Sequence, residues 1–337
     1  MWKLSQPTIE LIKWYKSEML SGLRNRINST DKLSAEVKSV FISNEIGDNN
    51  LIKLLTATPQ KSFILNNWLW RKISAIYNGL HEEEKASKLK EIKSNLLGVF
   101  DYENEISQKK RRSYYISHSL GSFTCPYCNR HYTITTVSGT KAASPRKMKK
   151  GSRIARPHLD HWFDKSDFPM LSLNIFNLIP CCPVCNSSIK GKTEFRLDTH
   201  IHPYLYDKLE PPFRFKRIPN PEPKGLMSFI VDIDTSRCDE KEKRMVEDLA
   251  LSEIYAYHGM LEAKDIMDWS IENSSDYING LFKDALAMYK CSIEDVFRMF
   301  FGTEYLPEKN LDRPLYKLKR DILKQLGLLD SNGKFIK

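Results

Sequence analysis

Residues 156–191, RPHLDHWFDKSDFPMLSLNIFNLIPCCPVCNSSIKG, crowd two His, three Asn and three Cys residues into one short stretch. Its Cys182-Pro-Val-Cys185 pairs with Cys125-Pro-Tyr-Cys128 upstream. Each Cys-x-x-Cys puts two thiolates on a tight turn, and two such turns complete a closed, structural four-thiolate zinc site. Cys181 adjoins Cys182, but only Cys182 has the two-residue spacing to Cys185. His131 could in principle replace a thiolate, although the two pairs already fill a tetrahedron. The cysteines number seven, an odd count in a chain without an export signal, which argues against a disulfide framework. Cys238 and Cys291 read as structural or incidental thiols.

Between the pairs lies a different set of groups: His158, Asp160 and His161. A hard divalent ion such as Mg²⁺ or Mn²⁺ prefers oxygen ligands and keeps most of its waters, so few protein ligands are needed. Asp160 and Asn186 could supply them. A neighbouring neutral His161 could take a proton from water for in-line attack on a phosphodiester. Asn177 would hydrogen-bond that imidazole or a nearby backbone group and hold it in place. In a continuous strand Asp160 and His161 point to opposite faces, so this chemistry needs the strand to end at His161. The turn-rich WFDKSDFP that follows favours that ending. His158 could be a ligand, a phosphate contact or a plain strand residue. The bland alternatives are a hydrogen-bonded structural histidine at 161 and a turn or capping asparagine at 177.

Directly before this stretch, SGTKAASPRKMKKGSRIAR reads as a basic loop. Arg146, Lys147, Lys149, Lys150 and Arg153 would there add salt-dependent, sequence-independent affinity for nucleic acid, unless they are simply solvated. Lys190, after the second Cys pair, could touch a phosphate. The Lys109–Tyr115 run KKRRSYY has the same two readings. A formal charge of +10 agrees with an anionic partner, nucleic acid first and an anionic membrane next. No apolar run approaches the length of a membrane span and the first residues do not form a secretory core, so the protein is expected in the cytoplasm.

The elements that must position these residues differ along the chain. Residues 1–120 read as a helical N-terminal region for partner or substrate binding. Leu33, Val37, Val40 and Phe41 recur at helical spacing after an N-cap cluster, and Pro59 opens a helix with the stripe Leu65, Leu69, Ile73 and Ile76. A third helix starts at Glu82–Glu84 and carries Leu89, Ile92 and Leu96. In residues 121–235 helical periodicity fades, and HYTITTV and FIVDID have the composition of short strands. Residues 236–337 are helical again, with Leu315, Leu318, Ile322 and Leu326 as the last stripe. At 337 residues the chain can bury a substantial core without cross-links.

The ordered set C-P-Y-C, L-D-H, N-L-I-P-x-C-x-x-C-N-S and K-G, over about residues 121–205, resembles the HNH endonucleases, in their branch with a four-cysteine zinc. Within them it is most similar to the PtuB-type nucleases of Septu and retron anti-phage defence systems. The resemblance implies an α+β fold class: a mainly helical chain with an embedded ββα-metal nuclease module stapled by zinc. It further implies Asp160 as ligand of a catalytic Mg²⁺ or Mn²⁺, His161 as general base, Asn177 as the central asparagine and Asn186 as the last ligand. Many HNH enzymes carry His at that last place, and relatives often read Phe-Pro-Lys-Ser where this chain has FDKS. A DNA endonuclease controlled by a PtuA-like ATPase subunit is the expectation that follows. The alternatives are a non-catalytic zinc-ribbon adaptor for nucleic acid or protein, and an RNase effector.

Overall fold

The computed structural model describes residues 1–42, 44–137, 153–191, 193–219, 229–256, 258–272 and 291–335, with a few single positions between 273 and 290. The first long helix, α1 (Ile9–Ser29), is opened by Thr8, whose hydroxyl accepts from the Leu11 N–H at 3.2 Å. It buries Leu11, Tyr15, Met19, Leu23 and Ile27, one residue per turn. Helices α2 (Ala35–Ile42), α3 (Asn44–Thr56), α4 (Pro59–Ile76) and α5 (Glu82–Val99) follow, with α3 packed against α1, α2 and α4. On α4 the buried face is Pro59, Ser62, Asn66, Leu69 and Ile73, while Ile76 is exposed. The expected stripe is therefore rotated: two of its four residues are buried, and the helix turns small and amide side chains inward where it approaches the rest of the core. Helix α5 does bury Ile92 and Leu96. A π-wound turn at Glu103–Ser107 leads into α6 (Lys110–Leu120), which carries most of KKRRSYY.

The sheets are small and antiparallel. β1 (Thr136–Val137) pairs with β2 (Arg153–Ala155), β3 (His158–His161) with β4 (Leu178–Cys181), and β5 (Arg214–Pro219) with β6 (Phe229–Asp234). The HYTITTV stretch contributes the short β1 and an isolated bridge from Tyr132 to Thr124, less strand than its composition suggests. β4 runs straight into a π-wound helical turn, Val184–Lys190, closed by Gly191 at φ +48°. Helices α7 (Glu240–Asp248), α8 (Leu251–Ala256), α9 (His258–Glu272), α10 (Ile293–Phe301) and α11 (Tyr316–Gln325) complete the described chain. Asp239 and Ser292 open α7 and α10 with reciprocal capping boxes.

One hydrophobic core runs from Met1 through the strands to Leu329. The helical segments are tied to the central strands by buried hydrogen bonds. Tyr15 Oη on α1 donates to the Leu173 carbonyl at 2.7 Å, and Asn174 Nδ2 donates to the Leu54 carbonyl on α3 at 2.8 Å. From the other side, Asn129 adopts φ +52°, a conformation Asn tolerates better than most residues. It spends its side chain on Thr124 Oγ1, the Asn310 and Arg313 carbonyls and the Tyr316 N–H. The first cysteine turn is thereby fastened to the start of α11. Among the described residues no helix is long and apolar enough to cross a membrane.

Candidate metal centre and adjoining active site

Cys125, Cys128, Cys182 and Cys185 converge, with ligand atoms all within 4.8 Å of one another and all four residues buried. Cys182, and not Cys181, completes the set. The two turns are shaped by N–H groups aimed at sulfur: Arg130 onto Cys128, Cys182 onto Cys125 and Cys185 onto Cys182, each at 3.4 Å. Such donors favour thiolate, the form a metal needs. Burial pushes the Cys125 thiol up, while hydrogen bonds from the other three sulfurs push Cys182 down. A tetrahedral ion resolves that imbalance by taking all four as thiolates, and this buried cluster could hold zinc. His131 stays outside it; its carbonyl accepts from the Cys125 N–H at 3.0 Å.

The other residues singled out by sequence lie on β3, β4 and the helical turn after them. β3 ends at His161, and its register sets His158 opposite Cys181 and Asp160 opposite Ile179. Asp160 is buried, and both carboxylate oxygens accept from Lys190 Nζ, at 2.9 and 2.8 Å. Tyr127, between the first two cysteines, donates its hydroxyl to Asp160 Oδ2 at 2.6 Å. The third Lys190 proton goes to the His161 carbonyl at 2.6 Å, and the ammonium lies 5.0 Å from the centre of the Phe195 ring. The expectation that Lys190 reaches out to a phosphate is therefore corrected: its side chain is 4% exposed and its three donors are spent inward.

His161 turns Nε2 to the Ser172 carbonyl at 2.9 Å. In a neutral ring that makes Nε2 the donor and leaves Nδ1 basic. Nδ1 has no hydrogen bond among the described residues and is not among their sealed, unpaired polar atoms. Tyr102 packs edge-on against the imidazole, centroids 4.4 Å apart. Burial pushes the His161 pKa down to about 4, outweighing the Ser172 hydrogen bond and the Asp160 charge, so the ring is neutral at pH 7. Lys165 Nζ lies 5.8 Å from the Tyr102 ring centre, and both Lys165 and Arg156 exert their charge on this Tyr102–His161 pair.

Asn177 does not touch the imidazole. Its Oδ1 accepts from the Phe163 N–H at 2.7 Å, and its Nδ2 donates to the Phe163 and Leu171 carbonyls at 3.0 Å each. It pins the loop that leaves β3 just after His161, the backbone option of its expected role. Asn186 meets His158, Nδ2 to Nδ1 3.1 Å, which leaves its Oδ1 without a hydrogen bond among the described residues. Arg153 opens β2, whereas Arg146, Lys147, Lys149 and Lys150 lie outside the described residues. Sequence reasoning missed Tyr102, Tyr127, Arg156, Lys165 and Ser172. Only Tyr127 carried a local signal, its place inside a cysteine turn.

The two expected metals thus differ in fit. The cysteines suit zinc. For a Mg²⁺ or Mn²⁺ ion, Asn186 keeps a free oxygen, but the Asp160 carboxylate is already neutralised by a buried ammonium and further bonded by a phenol. As arranged, these residues do not fit a divalent ion.

The chain is a mixed, largely helical protein with small antiparallel sheets and a buried four-cysteine cluster that could bind a metal such as zinc. No protein-family model matches it, and no curated protein or solved structure matches it.

Proposed function

We propose that this chain is an HNH-type endonuclease that hydrolyses nucleic-acid phosphodiesters, DNA being the expected substrate, with zinc as a structural staple. The observation that carries this reading is the run of strand, strand and helical turn in β3, β4 and Val184–Lys190. Asp160 and His161 end its first strand, and Cys182 and Cys185 sit where the second strand enters the turn. Supporting it, His161 is neutral, oriented by a backbone carbonyl through one nitrogen and left with a basic second nitrogen. A neutral ring is the form from which a general base accepts a proton, and with its pKa held down to about 4 by burial, Nδ1 is a weaker base than a free imidazole. In the proposed step the water oxygen forms a bond to phosphorus, its proton passes to His161 Nδ1, and the bond from phosphorus to the leaving oxygen breaks, that oxygen departing with the bonding pair and taking a proton from solvent water. Lys165 and Arg156, whose charges act on the Tyr102–His161 pair, are the cations proposed to meet phosphate. No role in this step is given to an ion on Asp160.

The anti-phage role and an ATPase partner of the PtuA kind rest on the resemblance alone, and copurification of an ATPase with the full chain tests them. The second reading, a zinc-stapled adaptor without activity, is favoured by the Asp160–Lys190 pair, since a closed ion pair also suits a purely structural core. Incubating zinc-loaded protein with supercoiled plasmid and with single-stranded RNA, with and without Mg²⁺ or Mn²⁺, separates these readings. Nicked plasmid from wild type and intact plasmid from His161→Ala supports the DNase. Cleavage of RNA alone moves the substrate class. Cleavage unchanged in His161→Ala removes that residue from the chemistry.

A further inference from the structure

Lys190 occupies the place a cation would take at Asp160. We propose that it is the resident cation of this carboxylate, and that the folded chain has no divalent-ion site there unless the ammonium is removed. The functional consequence rests on the nuclease reading above, but the binding claim stands on geometry alone.

Three features carry it. The ammonium is saturated, with its donors on Asp160 Oδ1, Asp160 Oδ2 and the His161 carbonyl. Both partners are sealed, at 4% and 7% side-chain exposure, so water cannot readily screen a second cation brought to the same carboxylate. Finally, Lys190 is delivered by the zinc turn itself. It ends the helical segment that begins at Val184 and contains Cys185, and Gly191 at φ +48° turns the chain away immediately afterwards. Phe195 covers the ammonium from its ring face. Tyr127, from the other cysteine turn, donates to Asp160 Oδ2, an oxygen it shares with Lys190. Both halves of the cysteine cluster therefore converge on one buried carboxylate and supply it with a cation and a hydrogen bond. Among the described residues, the four cysteines are the group of three or more His, Cys, Asp or Glu side chains whose ligand atoms converge.

Removing the ammonium should reverse the situation, because Asp160 would then be buried beside a phenol with no counter-charge. The test is Mn²⁺ uptake by the zinc-loaded full chain, read as loss of the free Mn²⁺ paramagnetic signal, with Asp160→Asn as the reference for ions bound elsewhere. Wild type is expected to bind no more Mn²⁺ than Asp160→Asn. Lys190→Ala is expected to gain one site that the double variant Lys190→Ala/Asp160→Asn lacks, and its melting temperature should rise with Mn²⁺ while that of wild type does not. A wild-type Mn²⁺ site abolished by Asp160→Asn would overturn the proposal, and so would a folded Lys190→Ala that gains none. If Lys190→Ala does not fold, the comparison of wild type with Asp160→Asn decides by itself. No substrate enters this assay, so its failure is separable from failure of the nuclease reading, which shows only in cleavage.

Discussion

At the scale of single residues, the same side chain type serves opposite ends depending on where the backbone aims it. Lys190 follows a cysteine turn and reads in sequence like a surface lysine, yet it is among the most buried charges described. A one-dimensional pattern records that a lysine stands five residues after Cys185, not that Asp160 lies within 3 Å of its end. His161 illustrates the converse. Its candidacy was legible from the Leu-Asp-His context and the turn residues after it, whereas the Ser172 carbonyl that sets its tautomer comes from a loop with no local signature. Burial holds the folded His161 pKa near 4, against 6.5 for the free side chain. The unfolded chain thus binds more protons between those values, so this residue's contribution to stability is complete above about pH 6.5 and is lost as pH falls through about 4. The full shift corresponds to about 3 kcal/mol. Urea midpoints measured from pH 7 to pH 4 should fall, and His161→Phe should flatten part of that slope. An equal slope in the variant would show that His161 is not the group responsible.

Elements position these residues through a few buried polar anchors. Asn177 closes the loop after β3 with three hydrogen bonds to main-chain groups. Asn177→Ala would strand the Phe163 N–H and the Phe163 carbonyl, while the Leu171 carbonyl keeps the Asn174 N–H, at a cost of about 2 to 4 kcal/mol. Because that loop starts at the end of β3, the variant should also lose cleavage, and a lowered denaturant midpoint together with lost activity is the expected pair of readouts. Asn129 does the same for the first cysteine turn and the N-terminus of α11, and Asn129→Ala should destabilise by a similar amount. A zinc ion held by the four cysteines would act at this scale as well. One zinc per chain is expected by metal analysis, and stripping it with a strong chelator should loosen β3, β4 and the turn between Val184 and Lys190, since ligand binding and folding are one process at such sites. Near-ultraviolet circular dichroism would register the change through Trp162, Tyr127 and Phe195, which are buried around the site. The paired Cys-x-x-Cys spacing made the convergence of these four cysteines readable in advance. The rotated face of α4 was not, because Ser62 and Asn66 become buried only through tertiary contact.

Across the whole molecule, helices on either side of the strands share one core with them, so the expected boundaries near 120 and 235 mark changes of secondary structure within a continuous packing. Composition disclosed the helical flanks and the irregular centre, but not that Tyr15 and Asn129 would bond them across long sequence separations. The net charge of +10 makes a further expectation at this scale: nucleic acid should bind without strong sequence preference and more weakly as salt rises. An affinity independent of salt between low and physiological ionic strength would speak against a phosphate-binding surface. Binding and hydrolysis must finally be separated, and the direct way is to measure both on one supercoiled plasmid with zinc-loaded wild type and His161→Ala. Equal, salt-sensitive binding by the two proteins is expected, with nicking by wild type reduced about 10²- to 10⁴-fold in the variant, the range for loss of a general base. Equal nicking by both proteins, or binding by both with no nicking by either, would contradict the assignment of His161 as the base of a nuclease.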